Sequence, residues 1–440
     1  DIDISDDGQY LFVMNLYSRR VFRLRLNNPA NPTGVTEVVS YAVPDPGCTN
    51  GTYRPFGLKF HRGKLYVGVV CSAENSGGTN ADLSAQIYEL NDPTAAAAFD
   101  ATALITISDM TYDRQSSSDW RPWSNNSDRG SSPIRYSQPI LSDIDVNERG
   151  DIIMAFMDRA GNQYGNDNYK FLQSSTTTTE NHSAGEILIA GVDCSTGGFT
   201  VENNGQFTSN GIPFASNHGG VSPTTQGIGG REFFDDYSPA GDPHAETTQG
   251  AVALLKGTGE VMSSAFAIIP VLASDGGVSR FSTNDGTFVD GYALYGGNSG
   301  NFFGKAAGLG DLDFSGVTSP IEIGNRVWMD TNNDGIQGAD EMGIGSVPVK
   351  LYQGATQVGA TTTAANGTYY FNNSNVNLNG ATGLLPNTAY VIRVDAADFP
   401  SGKSLSAIVN VGGAGQPDVR DNDAALNAGN AEISVTTGNY

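Results

Sequence analysis

The chain has 440 residues, 38% of them hydrophobic and only 16% charged, with 55 glycines and a net charge of −23. That length holds two or three domains with sizeable cores, and the glycine-rich, charge-poor balance excludes a helical bundle in favour of short strands and turns. So acidic a surface repels a nucleic-acid backbone and favours divalent cations.

Asp1 already lies in strand-like sequence, "DIDISDDGQYLFVMNLY", and the chain closes in "AEISVTTGNY", so it reads as a processed or partial piece of something longer. From there to residue 316 one unit recurs: an acidic alternating strand, a turn, then an apolar strand. "PFGLKFHRGKLYVGVVCSAE" (55–74) is followed by "AQIYELN" (85–91), and "SDIDVNERGDIIMAFMDRAGNQYG" (142–165) by "GEILIAGVD" (185–193). "GAVALLKGTGEVMSSAFA" (250–267) and "GTFVDGYALYG" (286–296) come later, with hairpin signals such as Asp7-Gly8 and Arg149-Gly150 between the paired strands. The pair Asp1/Asp3 recurs as Asp143/Asp145 and as Asp311/Asp313. These aspartates either bind cations or hydrogen-bond to the neighbouring unit. Irregular repeats of this kind predict a β-propeller-like domain over 1–316 with five or six blades; a large sandwich is the alternative.

Cys48 and Cys71 bracket a segment that leaves one strand and returns in the next, which predicts a disulfide with Cys194 left over; two buried free thiols are the alternative. Two long polar insertions, 112–136 and 209–246, interrupt the pattern and are the places to look for binding. Trp120 and Trp123 in the first either stack on a sugar or pin the loop to its scaffold. In the second, His218 and His244 are candidates to join Asp235, Asp236 or Glu246 in a metal or acid–base site. Of the other two histidines, His61 and His182, His61 lies in the turn "KFHRGK" and reads as exposed. No HExxH or GxSxG spacing accompanies any histidine, and "GIGG" (227–230) lacks the strand and helix that phosphate binding requires, so no catalytic residue is assigned. The longest apolar stretch, "AFAIIPVLA" (265–273), is too short to span a bilayer.

Near residue 317 the texture changes to short β-rich segments with clean turns, predicting a small immunoglobulin-like (prealbumin-like) sandwich over 317–440 and an all-β chain throughout. Within it, "DTNNDGIQGADE" (330–341) fits the calcium-loop pattern D-x-N-x-D-G-x5-E. Asp330, Asn332 and Asp334 offer side-chain oxygens, Gly335 permits the sharp turn, Ile336 offers its carbonyl, and Glu341 supplies a bidentate carboxylate to Ca2+. The flanks read as strands, so this loop fastens a sandwich rather than moving helices; an acidic hydrated turn is the alternative. In "DVRDNDAAL", Asp421 and Asp423 are a weaker cluster, lacking the glycine and the distal glutamate.

"IEIGNRVWMDTNNDGIQGADEMGIGSVPVKLY", with "ATTTAANGTYYF" and "GLLPNTAYVIRV", resembles the B-type repeat of the serine-aspartate-repeat bacterial surface adhesins. The resemblance implies a calcium-binding β-sandwich that acts as a rigid stalk module. It implies the loop ligands already named and adds Asp421 and Asp423 to them. The last strand customary in such repeats is missing after "VTTGNY", so the chain continues or another subunit's strand completes the sheet. Residues 1–316, through "RPFGLKFHRGKLYVGVVC" and "FGKAAGLGDLDF", are similar to the propeller-like region of large secreted bacterial surface proteins. The expectation is a non-enzymatic extracellular structural or adhesive protein. Its expected partners are copies of itself, neighbouring domains or a surface ligand; a glycan-binding module or a propeller hydrolase or lyase is the alternative.

Overall fold

The computed structural model describes residues 1–5, 8–29, 31–94, 98–115, 118–125, 136–147, 149–164, 168–169, 178–179, 183–193, 195–216, 218, 227–236, 246–255, 258–268, 275–296, 309–313, 322–338, 341–372, 374–378, 381–385, 388–409 and 422–437. Cys194, His182, His244 and Asp421 lie outside the described residues. The chain is all-β: the one α-helix among the described residues, α1, runs over Arg159–Tyr164 only. Contacts divide the chain into two units, Asp1–Ser315 and Gly316–Tyr440.

Among the described residues of the first unit, most strands fall into four antiparallel four-stranded sheets, with short two-stranded pairs between them. The first holds β1 (Ile2–Ile4), β2 (Tyr10–Asn15), β3 (Arg20–Leu26) and β4 (Val35–Ala42) in that order. The second holds β5 (Tyr53–His61), β6 (Lys64–Cys71), β7 (Ser84–Asn91) and β8 (Ile105–Ile107), so 85–91 is its third strand and not its outer one. After the short pair β9 (Asp113–Gln115) and β10 (Ser118–Asp119), the third sheet begins with β11 (Pro139–Val146) and β12 (Ile152–Asp158). A small hairpin, β13 (Asn168–Tyr169) with β14 (Thr178–Thr179), precedes its remaining strands, β15 (Glu186–Asp193) and β16 (Gly198–Val201). The hairpin of β17 (Gln206–Ser209) and β18 (Ile212–Ala215) leads to the fourth sheet, β19 (Thr248–Leu255), β20 (Glu260–Phe266), β21 (Gly276–Ser282) and β22 (Phe288–Tyr295).

Three apolar cores lie between successive sheets. Phe12, Val21 and Tyr41 meet Leu65, Val67 and Leu90; Ile87 and Ile107 meet Ile144, Met154 and Phe156; Ile153 and Ile187 meet Val252, Leu254 and Phe281. The second and third sheets are therefore covered on both faces. That is why "LYVGVV" and "IIMAF" are near-continuous apolar runs and not strict alternations.

The aspartate pairs fasten sheet to sheet. Leu58 N donates to Asp1 Oδ2 at 2.6 Å and Phe60 N donates to Asp3. In the second copy Val252 N donates to Asp143 Oδ2 at 2.7 Å and Leu254 N to Asp145 Oδ2 at 2.9 Å. Each carboxylate also accepts the amide that follows it, as Ile144 N shows on Asp143 at 2.7 Å. Of the two readings, the hydrogen-bonded one accounts for these four side chains. Lys59 Nζ sits 2.9 Å from Asp145. Burial first, then the nearby Asp311, pushes the Asp143 carboxyl well above the ordinary range. Cys48 and Cys71 form a disulfide with Cα atoms 5.3 Å apart.

The second unit contains a two-stranded sheet of β23 (Ile323–Arg326) and β26 (Thr368–Phe371). Its five-stranded sheet has the order β25-β24-β29-β31-β30, from β24 (Pro348–Gln353), β25 (Thr356–Thr362), β29 (Ala389–Val394), β30 (Ala425–Asn427) and β31 (Asn430–Thr436), and a small pair joins β27 (Asn377–Leu378) to β28 (Ala381–Thr382). Ile323, Tyr369 and Phe371 of one sheet and Val349, Leu351, Tyr390 and Ile392 of the other form a single buried cluster.

Candidate metal centre

The 330–341 segment is held at both ends by extended backbone. After β23, Val327 N donates to Gly367 O at 2.9 Å, Trp328 bridges Gly343, and Met329 N donates to Met342 O at 2.9 Å. The flanks are thus strand-like, and the loop between them is fixed by its own polar groups. Asp330 accepts Asp334 N on Oδ1 and Gly335 N on Oδ2, each at 3.1 Å. Asn332 Oδ1 accepts Asp334 N at 3.0 Å, while its Nδ2 donates to Asp334 Oδ2 at 2.8 Å. The Glu341 carboxylate is buried and takes Thr331 N on one oxygen at 2.7 Å and Gly338 N on the other at 2.9 Å.

Gly335 has φ +72°, and a Cβ there would lie 2.7 Å from Ile408 O, so both turn and contact demand glycine. The loop docks on a distant segment through Ser406 Oγ, which donates to Asp330 Oδ2 at 2.7 Å, and through Asn422 N, which donates to Gly335 O at 2.9 Å. Neither residue carries a local sequence signal. Both contacts depend on the chain returning more than seventy residues later.

Electrostatics favour the ionised loop. Burial raises the Asp330 carboxyl, but the Ser406 hydroxyl and the Gly335 and Asp334 amides together hold it below the usual range. The Gly338 and Thr331 amides hold Glu341 below its usual value. An all-oxygen set of three carboxylates and an amide carbonyl, on a loop turned by glycine, fits a hard cation of the calcium class. Asp330, Asp334 and Glu341 do not converge within 4.8 Å of one another among the described residues, so taking up an ion requires the loop to tighten. Ile336 is exposed, its N–H donating to Asp334 Oδ1 at 2.8 Å. Asp423 and Asp330 line the same cavity of about 490 Å³, with Trp328, Tyr369 and Asn422.

In the first unit, Trp120 is fully buried and packs 6.3 Å from Phe156, which corrects the reading of it as a sugar platform: its ring is spent on the core. Trp123 donates Nε1–H to Pro139 O at 2.8 Å and carries the guanidinium groups of Arg54 and Arg159 over its ring, at 5.4 and 4.9 Å. Its role is to pin the loop. His218 pairs with Asp235 (3.6 Å) and Asp285 O (3.2 Å), and among the described residues it joins no metal-ligand set. Asp236 and Glu246 converge instead with Glu232, a residue the sequence reading passed over.

Residues 321–436 match the model of the SdrD B-like domain, as the resemblance implied. Serine-aspartate repeat-containing protein D of Staphylococcus aureus (strain Newman) is 33% identical over 113 residues, covering 25% of this chain and 8% of that protein. The fibrinogen-binding protein of Staphylococcus epidermidis is 49% identical over 59 residues, 13% of this chain and 5% of its own length. Colossin-B of Dictyostelium discoideum is 28% identical over 389 residues, 84% of this chain, a likeness that runs well into the first unit. The chain spans only 10% of Colossin-B. Among solved structures, Hadza microbial sialidase Hz136 aligns over 89% of this chain and 62% of its own at 8% identity, with a TM-score of 0.32, too low to bear on the fold.

Proposed function

We propose that this chain is a non-enzymatic structural and adhesive segment of a cell-surface or extracellular protein. In this reading the first unit is a propeller-like head and the second a β-sandwich stiffened by calcium. The observation that carries it is the 330–341 loop, a complete oxygen-donor pattern clamped between extended segments instead of helices. A cation there ties β23 to the segment around Ser406, which suits a stalk module better than a sensor. The consecutive four-stranded sheets, with the first strand of one latched to the first strand of the next at β1–β5 and β11–β19, support the propeller reading. The surface assignment is supported by the similarity to staphylococcal repeat proteins and the Colossins. Among the described residues no helix is long and apolar enough to cross a membrane.

The partners are copies of this chain or neighbouring domains. Ile2 and Ile4 on β1 and Tyr292 and Leu294 on β22 are exposed apolar side chains on the first and fourth sheets, suited to packing against such neighbours. Isothermal titration of the full chain with calcium tests the central element. Binding is expected with a dissociation constant in the range of roughly 10⁻⁴–10⁻³ M known for extracellular modules. Glu341→Gln should weaken it at least tenfold. An unchanged isotherm would remove the loop from the account.

A further inference from the structure

Glu232, Asp236 and Glu246 each bring one carboxylate oxygen to within 4.8 Å of the others. All three are buried, with 3%, 2% and 0% of their surfaces exposed. Two oxygens that each sit about 2.4 Å from one calcium ion can be at most about 4.8 Å apart, so the trio fits a single coordination shell. Asp236 adds a second observation. Its Oδ2 accepts the Thr248 hydroxyl at 2.8 Å, whereas its buried Oδ1 has no hydrogen-bond partner among the described residues. A buried carboxylate oxygen left without a donor is costly, and a cation is one of the few groups that satisfies several at once.

The surroundings are built to hold the trio in place. Phe233 and Phe234, between two of the acids, are anchored in the apolar core. Asp236 O accepts Thr247 N at 3.1 Å and the Thr247 hydroxyl at 2.6 Å. Gly227 has φ +70°, and a Cβ there would lie 2.7 Å from Glu232 Cγ, so glycine lets the backbone press against the acid. Glu202 stands beside the trio with both oxygens occupied, by Ile189 N at 3.0 Å and Phe233 N at 2.7 Å.

We propose that Glu232, Asp236 and Glu246 form a second divalent-cation site, in the first unit and independent of the 330–341 loop. With three carboxylates and neither sulfur nor nitrogen in the trio, it takes a hard, oxygen-seeking ion such as calcium. The ion joins the residues that follow β18 to the start of β19.

The test is the number of calcium ions bound by the full chain, by equilibrium dialysis with elemental analysis. Wild type is expected to hold two, the loop variant Asp330→Ala/Glu341→Gln one, and that variant with Asp236→Asn or Glu246→Gln added none. A folding control accompanies it. Without divalent ions Asp236→Asn should melt no lower than wild type, because it removes a like charge. In the loop-variant background it should abolish any calcium-dependent rise in melting temperature. If the loop variant binds no calcium, or binds one ion that Asp236→Asn and Glu246→Gln leave in place, the trio is a proton-sharing cluster and the proposal is overturned. A loop variant that still holds two ions would instead count against the loop.

Discussion

Gly335 shows how one position can be read twice, from sequence and from space. The pattern around it demands a residue that tolerates positive φ, and the fold adds that a Cβ would strike the Ile408 carbonyl. Gly335→Ala is expected to cost about 1–3 kcal/mol, the range for backbone forced into a disfavoured region, measured by urea unfolding of the full chain in millimolar calcium. The acids around it carry a pH signature. Asp330 and Glu341 have folded-state values below their unfolded ones. Their contribution is therefore present above the unfolded values of roughly 4 and lost as pH falls through the depressed folded ones. Asp158 runs the other way. It is fully buried, and although it accepts Gln138 N and Ala160 N at 2.9 Å each, burial raises it to about 7. Stability that depends on its protonated form is complete below about 4 and lost as pH rises through about 7. Asp158→Asn should flatten the chain's stability profile across that window, as read from chemical unfolding at a series of pH values.

At the scale of elements, the sequence made hairpins and aspartate pairs legible because both are local signals with fixed spacing. The partners of those aspartates were not legible. Leu58 and Val252 offer ordinary backbone amides whose position depends on how one sheet packs on the next. The same limit explains Trp120: a tryptophan in a polar segment looks like a surface platform until the fold turns its ring into the core. Asp143→Ala is expected to cost about 1–3 kcal/mol, because it strips the acceptor from the buried Val252 amide. Replacing Cys48 and Cys71 by serine should cost about 3 kcal/mol on the chain-entropy account for a sequence separation of 23. Urea midpoints of the oxidised and serine-substituted chains measure it.

Across the whole molecule, the all-β class followed from composition and turn chemistry, and the change of texture near residue 317 marked where the repeating sheets give way. The 330–341 loop was readable because every constrained position lies within twelve consecutive residues. Glu232, Asp236 and Glu246 were not readable as a set, since nothing in their spacing signals that they meet. What unites the second unit is a claim about linkage: an ion bound only by the folded loop raises the stability of the sheets it fastens. At millimolar calcium and a dissociation constant near 10⁻⁴ M, that linkage is worth about 1–2 kcal/mol. Differential scanning calorimetry of the full chain, with calcium and with chelator, tests it most directly when Glu341→Gln is run alongside. Calcium is expected to raise the unfolding transition of the second unit by several degrees, and Glu341→Gln to remove that rise. A second-unit transition that does not move with calcium in the wild type, or that moves equally in the variant, would contradict the linkage.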